Sequence, residues 1–241
     1  MEKGFLQRYA NRVIKKTKML FAMLGVLMIA ALTGLYFVGI AAEEDLLFSS
    51  PLIPGIIGVM LFIIIGACIV LTIQNRRWAN YGGLTVQGEA TKEEAGRVID
   101  DEAASGNILV DEYIYSNKTG TRFVLTPSYL LICEGMKVTA IPAGKIFWIC
   151  AQAGIKGESD YIVRMKIFAE NKMYDVVGAN IEHLKNIADK MYRYIPNIFS
   201  NYDAFDLSYK LQEIFVKDYS QFLAIYQEQK QQFYASNAST E

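Results

Sequence analysis

The chain has 241 residues and a formal net charge of −1, and 52% of its residues are hydrophobic. This length leaves room for a membrane hairpin and one soluble domain of ordinary size. Residues 78–241 carry 16 Lys and Arg against 21 Asp and Glu, a net charge of −5. A domain with that balance has no general attraction for nucleic acid, so no nucleic-acid partner is expected.

Residues 1–18 contain six basic side chains and one acidic side chain, Glu2. Apolar residues recur at helical spacing from Phe5 to Ile14, and basic residues occupy the other side, which predicts a basic amphipathic juxtamembrane helix over 1–18. Such a helix is suited to lying in the headgroup layer. The alternative is a solvated helix whose charges only set the topology of the following spans.

Two apolar runs follow, Met19 to Ala41 and Leu52 to Ile73, and neither contains Asp, Glu, Lys, Arg or His. A run of about 18 or more apolar residues is long enough to cross a bilayer. We therefore predict a two-helix transmembrane hairpin over 19–75. Ionisable residues, which usually mark a proton or ion path, are missing from both runs, so the hairpin is interpreted as an anchor.

The charges that flank the hairpin predict its orientation. The connector between the spans carries Glu43, Glu44 and Asp45 and no basic residue. By the positive-inside rule, both termini face the cytoplasm, and we expect a multi-pass protein of the cell membrane, the inner membrane of a bacterium. The residues that this pattern places at the membrane interface are Lys15, Lys16, Lys18, Arg76, Arg77 and the aromatic Trp78.

Residues 76–106 are predicted to connect the hairpin to the soluble domain. Asn80 to Gly88 is rich in turn-forming residues. Thr91 followed three residues later by Glu94 is a capping box, which predicts an acidic helix that ends at about Ala104.

From Ile108 to Val177 the apolar residues recur with a period of two, which is typical of β-strands. The alternation is clearest where Val163, Met165 and Ile167 share one face. The predicted strands are Ile108–Tyr115, Arg122–Leu125, Tyr129–Cys133, Lys137–Ile141, Lys145–Cys150, Tyr161–Phe168 and Met173–Val177. Seven short strands joined by turns indicate an antiparallel sheet system, either a barrel or a sandwich. The predicted fold class is therefore an α+β membrane protein.

A helix is predicted to start near Asn180 and to end at Pro196, with one apolar stripe. The last segment, from Asp203 to about Tyr234, is predicted to be helical again. Its aromatic residues must be buried, either on the chain's own domain or against another protein. We assign a candidate partner surface to this helix, consisting of Tyr219, Phe222 and Tyr226.

Two segments carry a family resemblance: Phe123-Val-Leu-Thr-Pro-Ser-Tyr-Leu-Leu-Ile-Cys133 and Val138-Thr-Ala-Ile-Pro-Ala-Gly-Lys-Ile-Phe-Trp148. They resemble bacterial pleckstrin-homology-like (PH-like) domains, in which a strand ending in Leu-Thr precedes a Tyr-Leu strand, a turn and an Ile-Pro segment. Several strands followed by one amphipathic helix is also the order of elements in that superfold. The resemblance implies a cytoplasmic PH-like domain over 107–196, followed by a helical extension over 197–241, in a family with two transmembrane helices.

Phosphoinositide-binding PH domains cluster Lys and Arg around the first strand–strand loop. Here that loop offers Lys118 and Arg122 and little else, which argues against phosphoinositide binding. His183 is the only histidine, and Cys133 and Cys150 lie in apolar strands where a buried inert thiol is expected. We predict no catalytic residue, no cofactor and no metal site, and therefore no enzyme.

The expected function is that of a membrane-anchored cytoplasmic PH-like module for binding or scaffolding. Its expected partners are the lipid bilayer and either another protein or a second copy of this chain. Two alternatives stay open. The first is an accessory subunit of a membrane transporter or export complex, and the second is an enzyme of unrecognised type.

Overall fold

The computed structural model describes residues 4–41, 52–115, 120–153, 163–170, 172–195 and 205–238. The chain divides into two compact units, Met1–Gly83 and Leu84–Glu241. The first unit is helical and the second is built from β-sheets and shorter helices, so the protein belongs to the α+β class.

The first unit is a pair of packed helices, α1 (Phe5–Ala41) and α2 (Leu52–Trp78). Lys18 Nζ of α1 donates a hydrogen bond to Thr72 Oγ1 of α2 at 3.5 Å. Helix α1 has 37 residues and is continuous, so the predicted juxtamembrane helix and the first apolar run form one rod. At 1.5 Å per residue this rod is about 55 Å long, which exceeds the hydrocarbon core of a bilayer.

A tight turn follows α2. The Gly82 N–H donates to the Arg77 carbonyl at 2.8 Å, and Tyr81 has a φ of 54°. Gly83 then lies directly against the indole of Trp78, because a Cβ at this position would lie 2.2 Å from its Cε2 atom. Only glycine fits that approach, and the turn leaves Trp78 with 2% of its surface exposed.

The second unit begins with a short strand, β1 (Leu84–Val86), followed by helix α3 (Lys92–Ala104). The predicted capping box is confirmed: the Glu94 N–H donates to Thr91 Oγ1, and the Glu94 carboxylate accepts from the Thr91 N–H at 2.9 Å. Strand β1 lies within the stretch that was predicted to be rich in turns, and the sequence did not predict it.

Eight strands among the described residues form two sheets. The first sheet has the order β1-β5-β4-β3-β2, in which β1 pairs with β5 in parallel and the other pairs are antiparallel. The second sheet is the antiparallel meander β6-β7-β8. Each of the seven predicted strands corresponds to one strand from β2 to β8. Their bounds are Val110–Tyr115, Gly120–Leu125, Tyr129–Glu134, Lys137–Pro142, Ile146–Ala153, Val163–Ala169 and Lys172–Gly178.

The two sheets do not close into a barrel, and that alternative is corrected. Pro142, which ends β5, has no N–H, and the 3-10 turn Ala143–Lys145 separates β5 from β6. The two sheets share no strand pair among the described residues, so the ladder of one does not continue into the other. Both sheets instead contribute to one apolar core, which holds Phe123 and Ile132 of the first sheet and Ile167 of the second.

Helix α4 (Ile181–Tyr192) completes this core. Asn180 caps its first turn, where Oδ1 accepts from the Glu182 N–H at 2.8 Å. The predicted apolar stripe is confirmed, because Leu184, Ile187, Ala188 and Met191 are buried. Pro196, the predicted end of this helix, lies outside the described residues.

The C-terminal segment forms two helices where one was predicted: α5 (Phe205–Lys217) and α6 (Tyr219–Ala238). Asp218 lies between them. Its N–H donates to the Ile214 carbonyl at 2.7 Å, and its Oδ1 accepts from the Gln221 N–H at 3.0 Å. The aspartate thus caps the start of α6 and interrupts what the apolar pattern predicted as a continuous helix.

Candidate membrane and partner sites

The hairpin carries a wide apolar surface. The most apolar 18-residue windows within Phe5–Gly34 and Gly58–Trp78 have mean hydropathies of 1.8 and 2.2, and by length and composition both helices can cross a membrane. Large apolar side chains on both helices are exposed, among them Leu20 (66%) and Phe62 (78%). This apolar belt is defined by Met19, Leu20, Met23, Leu24, Val26, Leu27, Ile29, Phe37, Val59, Met60, Leu61, Phe62, Ile63, Ile65, Ile69, Val70 and Ile73. Monomeric soluble proteins rarely expose a patch of this extent.

Five of the six predicted interface residues are exposed beside the belt: Lys15, Lys16, Lys18, Arg76 and Arg77. The sixth differs from them in its exposure. Trp78 is buried in the protein, because the turn that ends at Gly83 folds back over its indole. An indole covered by its own chain has no surface with which to anchor in the headgroup layer.

The apolar side of the first turns of α1 is also covered by protein. Leu6, Ala10 and Ile14, four residues apart, are 0 to 3% exposed. The apolar stripe that was predicted to face the headgroup layer therefore packs against protein. Arg8 and Arg12, on other sides of the same turns, are exposed.

The candidate partner surface lies in an aromatic cluster of the second unit. Phe222 and Tyr226 are 0% and 6% exposed, and Tyr219 is half-buried. Phe222 lies 6.2 Å from Phe168 between ring centroids, and Tyr226 packs edge-on against Phe147 at 4.8 Å. Phe222 and Tyr226 therefore pack on their own domain, and the partner surface stays a prediction.

The partners of these rings come from the outer face of the second sheet. Trp148 stacks on Phe168 at 4.8 Å, and both are buried. Lys166 Nζ on the same face donates to Gln212 Oε1 of α5 at 2.6 Å. The sequence signal for this covered face is a pair of consecutive apolar residues, Ile167 and Phe168, because a strand covered on one face alternates apolar with polar.

Arg122 lies on the outer side of the first sheet and is committed to an acidic partner. Its Nε and Nη2 donate to the two carboxylate oxygens of Asp111 at 2.7 and 2.6 Å. This bidentate bond raises the pKa of Arg122, and the guanidinium also lies 5.3 Å from the ring centroid of Tyr113. The other basic residue of the predicted phosphoinositide loop, Lys118, lies outside the described residues.

His183 and Lys190 connect helix α4 to the edge strand β2. His183 Nε2 lies 2.9 Å from the Tyr113 carbonyl oxygen, and Lys190 Nζ donates to Glu112 Oε1 at 2.5 Å. At the end of α4, the Tyr192 hydroxyl accepts the Ile149 N–H of edge strand β6 at 3.1 Å. Each of these polar groups therefore holds the helix against a sheet edge.

Both cysteines of the second unit have protonated thiols at neutral pH. Cys133 is buried and Cys150 is half-buried, and burial raises the pKa of each thiol to about 12. A buried thiol without thiolate character is a poor nucleophile. The described part of the chain contains no group of three or more His, Cys, Asp or Glu side chains arranged to hold a metal ion.

This burial predicts slow alkylation. At pH 8, a thiol pKa near 12 in place of 9.0 lowers the thiolate fraction by about a thousandfold. In a Cys68→Ser background we expect iodoacetamide to modify Cys133 and Cys150 rapidly only after denaturation, as followed by mass spectrometry. Because the folded state holds these protons more tightly, stability should fall as the pH rises above about 9. Equal rates in folded and denatured protein would contradict the burial.

The fold and its sites together define a class: an α+β protein in which a hairpin of candidate membrane-spanning helices precedes a two-sheet unit whose aromatic face is covered by C-terminal helices. Comparison of the chain with protein-family models, with curated proteins and with solved structures found no match.

Proposed function

We propose that this protein is a membrane-anchored module for binding or scaffolding, held in the bilayer by α1 and α2 and carrying the two-sheet unit on the cytoplasmic side. The exposed apolar belt of the hairpin is the observation that carries the proposal. The belt contains seventeen exposed large apolar side chains, which are stable in lipid. The basic residues beside the belt favour an orientation in which that end of the hairpin faces the cytoplasm.

We further propose that residues 107–196 are a PH-like domain. The support is the order of elements: a four-stranded meander from β2 to β5, a three-stranded meander from β6 to β8, and helix α4 packed into the core. Strand β1 adds a parallel edge to this pattern. Phosphoinositide is not the proposed ligand, because the Nε and Nη2 groups of Arg122 already donate to both carboxylate oxygens of Asp111.

A second candidate function is that of an accessory subunit whose hairpin packs on a larger membrane protein. The observation in its favour is the location of the exposed apolar surface: Phe222 and Tyr226 are covered by their own domain, whereas the hairpin exposes the apolar belt. Purification of the full chain in mild detergent separates the two candidates. An integral membrane protein that co-purifies in equal amounts supports the accessory role, and its absence supports the self-contained module.

The topology of the proposed anchor predicts a labelling pattern. In a Cys68→Ser background, a cysteine at Ser49, which lies outside the described residues, should react in intact cells with a membrane-impermeant maleimide. A cysteine at Ser236 should react only after the cells are permeabilised, because both termini are proposed to be cytoplasmic. Alkaline carbonate extraction of the same membranes is the control for insertion. The reverse labelling pattern would refute the proposed orientation.

A further inference from the structure

We propose that the exposed basic side chains at one end of the hairpin form a binding surface for anionic phospholipid headgroups. This basic collar consists of Lys15, Lys16, Lys18, Arg76 and Arg77. The inference rests on the proposed function, in which α1 and α2 span the bilayer. It goes further, because it assigns a lipid class that the protein should gather around itself.

Charge is the first argument. Residues 4–41 and 52–83 contain seven Lys and Arg residues and no Asp or Glu. All five collar side chains are exposed, and the ion pairs of the described ranges involve none of them. A cationic surface of this kind, in a stretch of described residues that contains no Asp or Glu, is complementary to anionic headgroups.

The position of the collar is the second argument. Lys18 directly precedes Met19, where the apolar belt begins on α1, and Arg76 follows Ile73, where the belt ends on α2. The hydrogen bond from Lys18 Nζ to Thr72 Oγ1 shows that the belt begins on α1 and ends on α2 at the same height along the hairpin. Cations from both helices therefore lie where acyl chains give way to headgroups.

The burial of the first turns of α1 implies that the basic collar lies at a single depth, at the boundary between acyl chains and headgroups. Because Leu6 and Ile14 are packed in protein, α1 cannot turn that side towards lipid and lie flat in the headgroup layer. Continuing as a straight helix, it places Arg12 about 9 Å and Arg8 about 15 Å beyond Lys18. The Debye length at physiological ionic strength is about 8 Å, so Arg8 and Arg12 should interact more weakly with the membrane than the collar does.

The experiment measures lipid preference in the full chain. Purified protein is reconstituted into vesicles of phosphatidylcholine containing spin-labelled phosphatidylglycerol, and electron paramagnetic resonance gives the association of this lipid relative to spin-labelled phosphatidylcholine. We expect the wild type to prefer phosphatidylglycerol and the preference to fall with added salt. Arg76→Gln combined with Arg77→Gln should lower it several-fold, since each basic residue near the surface is worth about fivefold at most.

Two matched variants serve as controls. Arg8→Gln with Arg12→Gln removes the same charge farther from the belt and should have a smaller effect. Lys185→Gln with Lys210→Gln removes two exposed charges of the second unit and should have none. An equal effect of the Arg8 and Arg12 variant would refute the geometry in which α1 continues straight out of the bilayer. An unchanged preference in the Arg76 and Arg77 variant, or no preference in the wild type, would overturn the collar.

Carbonate extraction of the same vesicles separates this inference from the proposed function. If the protein resists extraction but shows no preference for phosphatidylglycerol, the lipid-binding role of the collar is refuted and the membrane anchor is not. Protein that carbonate removes would refute the anchor, and the collar with it.

Discussion

Replacing Phe222 with alanine should lower the free energy of unfolding of the two-sheet unit by about 3 to 5 kcal/mol. The ring is fully buried and contacts four aromatic rings whose centroids lie 5.0 to 6.3 Å away, those of Phe147, Phe168, Phe215 and Tyr219. Its removal leaves a cavity between the C-terminal helices and the second sheet. The large expected effect follows from the loss of apolar burial together with that cavity.

The measurement is urea unfolding of the full chain in mild detergent, followed by the fluorescence of Trp148 in a common Trp78→Phe background. Trp148 belongs to the same aromatic cluster and is therefore a local probe. Val216→Ala is the matched control, because this side chain of α5 is 71% exposed. A loss below about 0.5 kcal/mol for Phe222→Ala, or an equal loss for both variants, would contradict the packing.

The same residue also tests self-association. If Phe222 serves only the core, wild-type protein should be monomeric by light scattering, and Phe222→Asp should unfold the second unit because a carboxylate cannot be buried there without a partner. A folded Phe222→Asp variant of smaller oligomeric size than the wild type would instead support the predicted partner surface of Tyr219, Phe222 and Tyr226.

Truncation at the centre of the main core should have an effect of similar size. Ile167 of β7 and Leu184 of α4 are both 0% exposed, and each change to alanine should cost about 2 to 5 kcal/mol. Leu184 is closely packed: a Cβ on Gly178 would lie 2.9 Å from its Cδ1 and Cδ2 atoms. This contact leaves little freedom for the surrounding structure to relax.

The two variants are measured by urea unfolding in the same detergent. Val177→Ala is the control for Ile167→Ala, because Val177 lies on the neighbouring strand β8 with 46% of its surface exposed. It should change the free energy of unfolding by less than about 0.5 kcal/mol. A loss of that small size at both Ile167 and Leu184 would mean that the two sheets and α4 do not share one core.

Several elements were determined by the sequence itself, because short-range chemistry specifies them. Thr91 and Glu94 start α3 through hydrogen bonds that span three residues. The stripe that includes Leu184 and Met191 predicts both α4 and the face that it buries. The alternation of Val163, Met165 and Ile167 predicts β7 and its orientation towards the core. In each case the deciding groups lie within a few residues of one another.

Other features were decided only by the tertiary structure. Strand β1 has three residues and pairs with β5 more than fifty residues later, a contact for which no local pattern exists. Asp218 divides the C-terminal segment because its carboxylate caps α6, although the apolar spacing on both sides suits one helix. Closure into a barrel would need the edge strands β1 and β2 to pair with the edge strands β6 and β8, and none of these pairs forms among the described residues.

The burial of Trp78, Leu6 and Phe222 has the same explanation. An apolar pattern shows that a side chain avoids water, but lipid, another protein and the chain's own core remove it from water equally well. Trp78 is covered because Gly83 permits the following turn to approach its indole. Phe222 is covered because the second sheet presents Trp148 and Phe168 on its outer face. The sequence determined which residues leave water, and the tertiary structure decided what covers them.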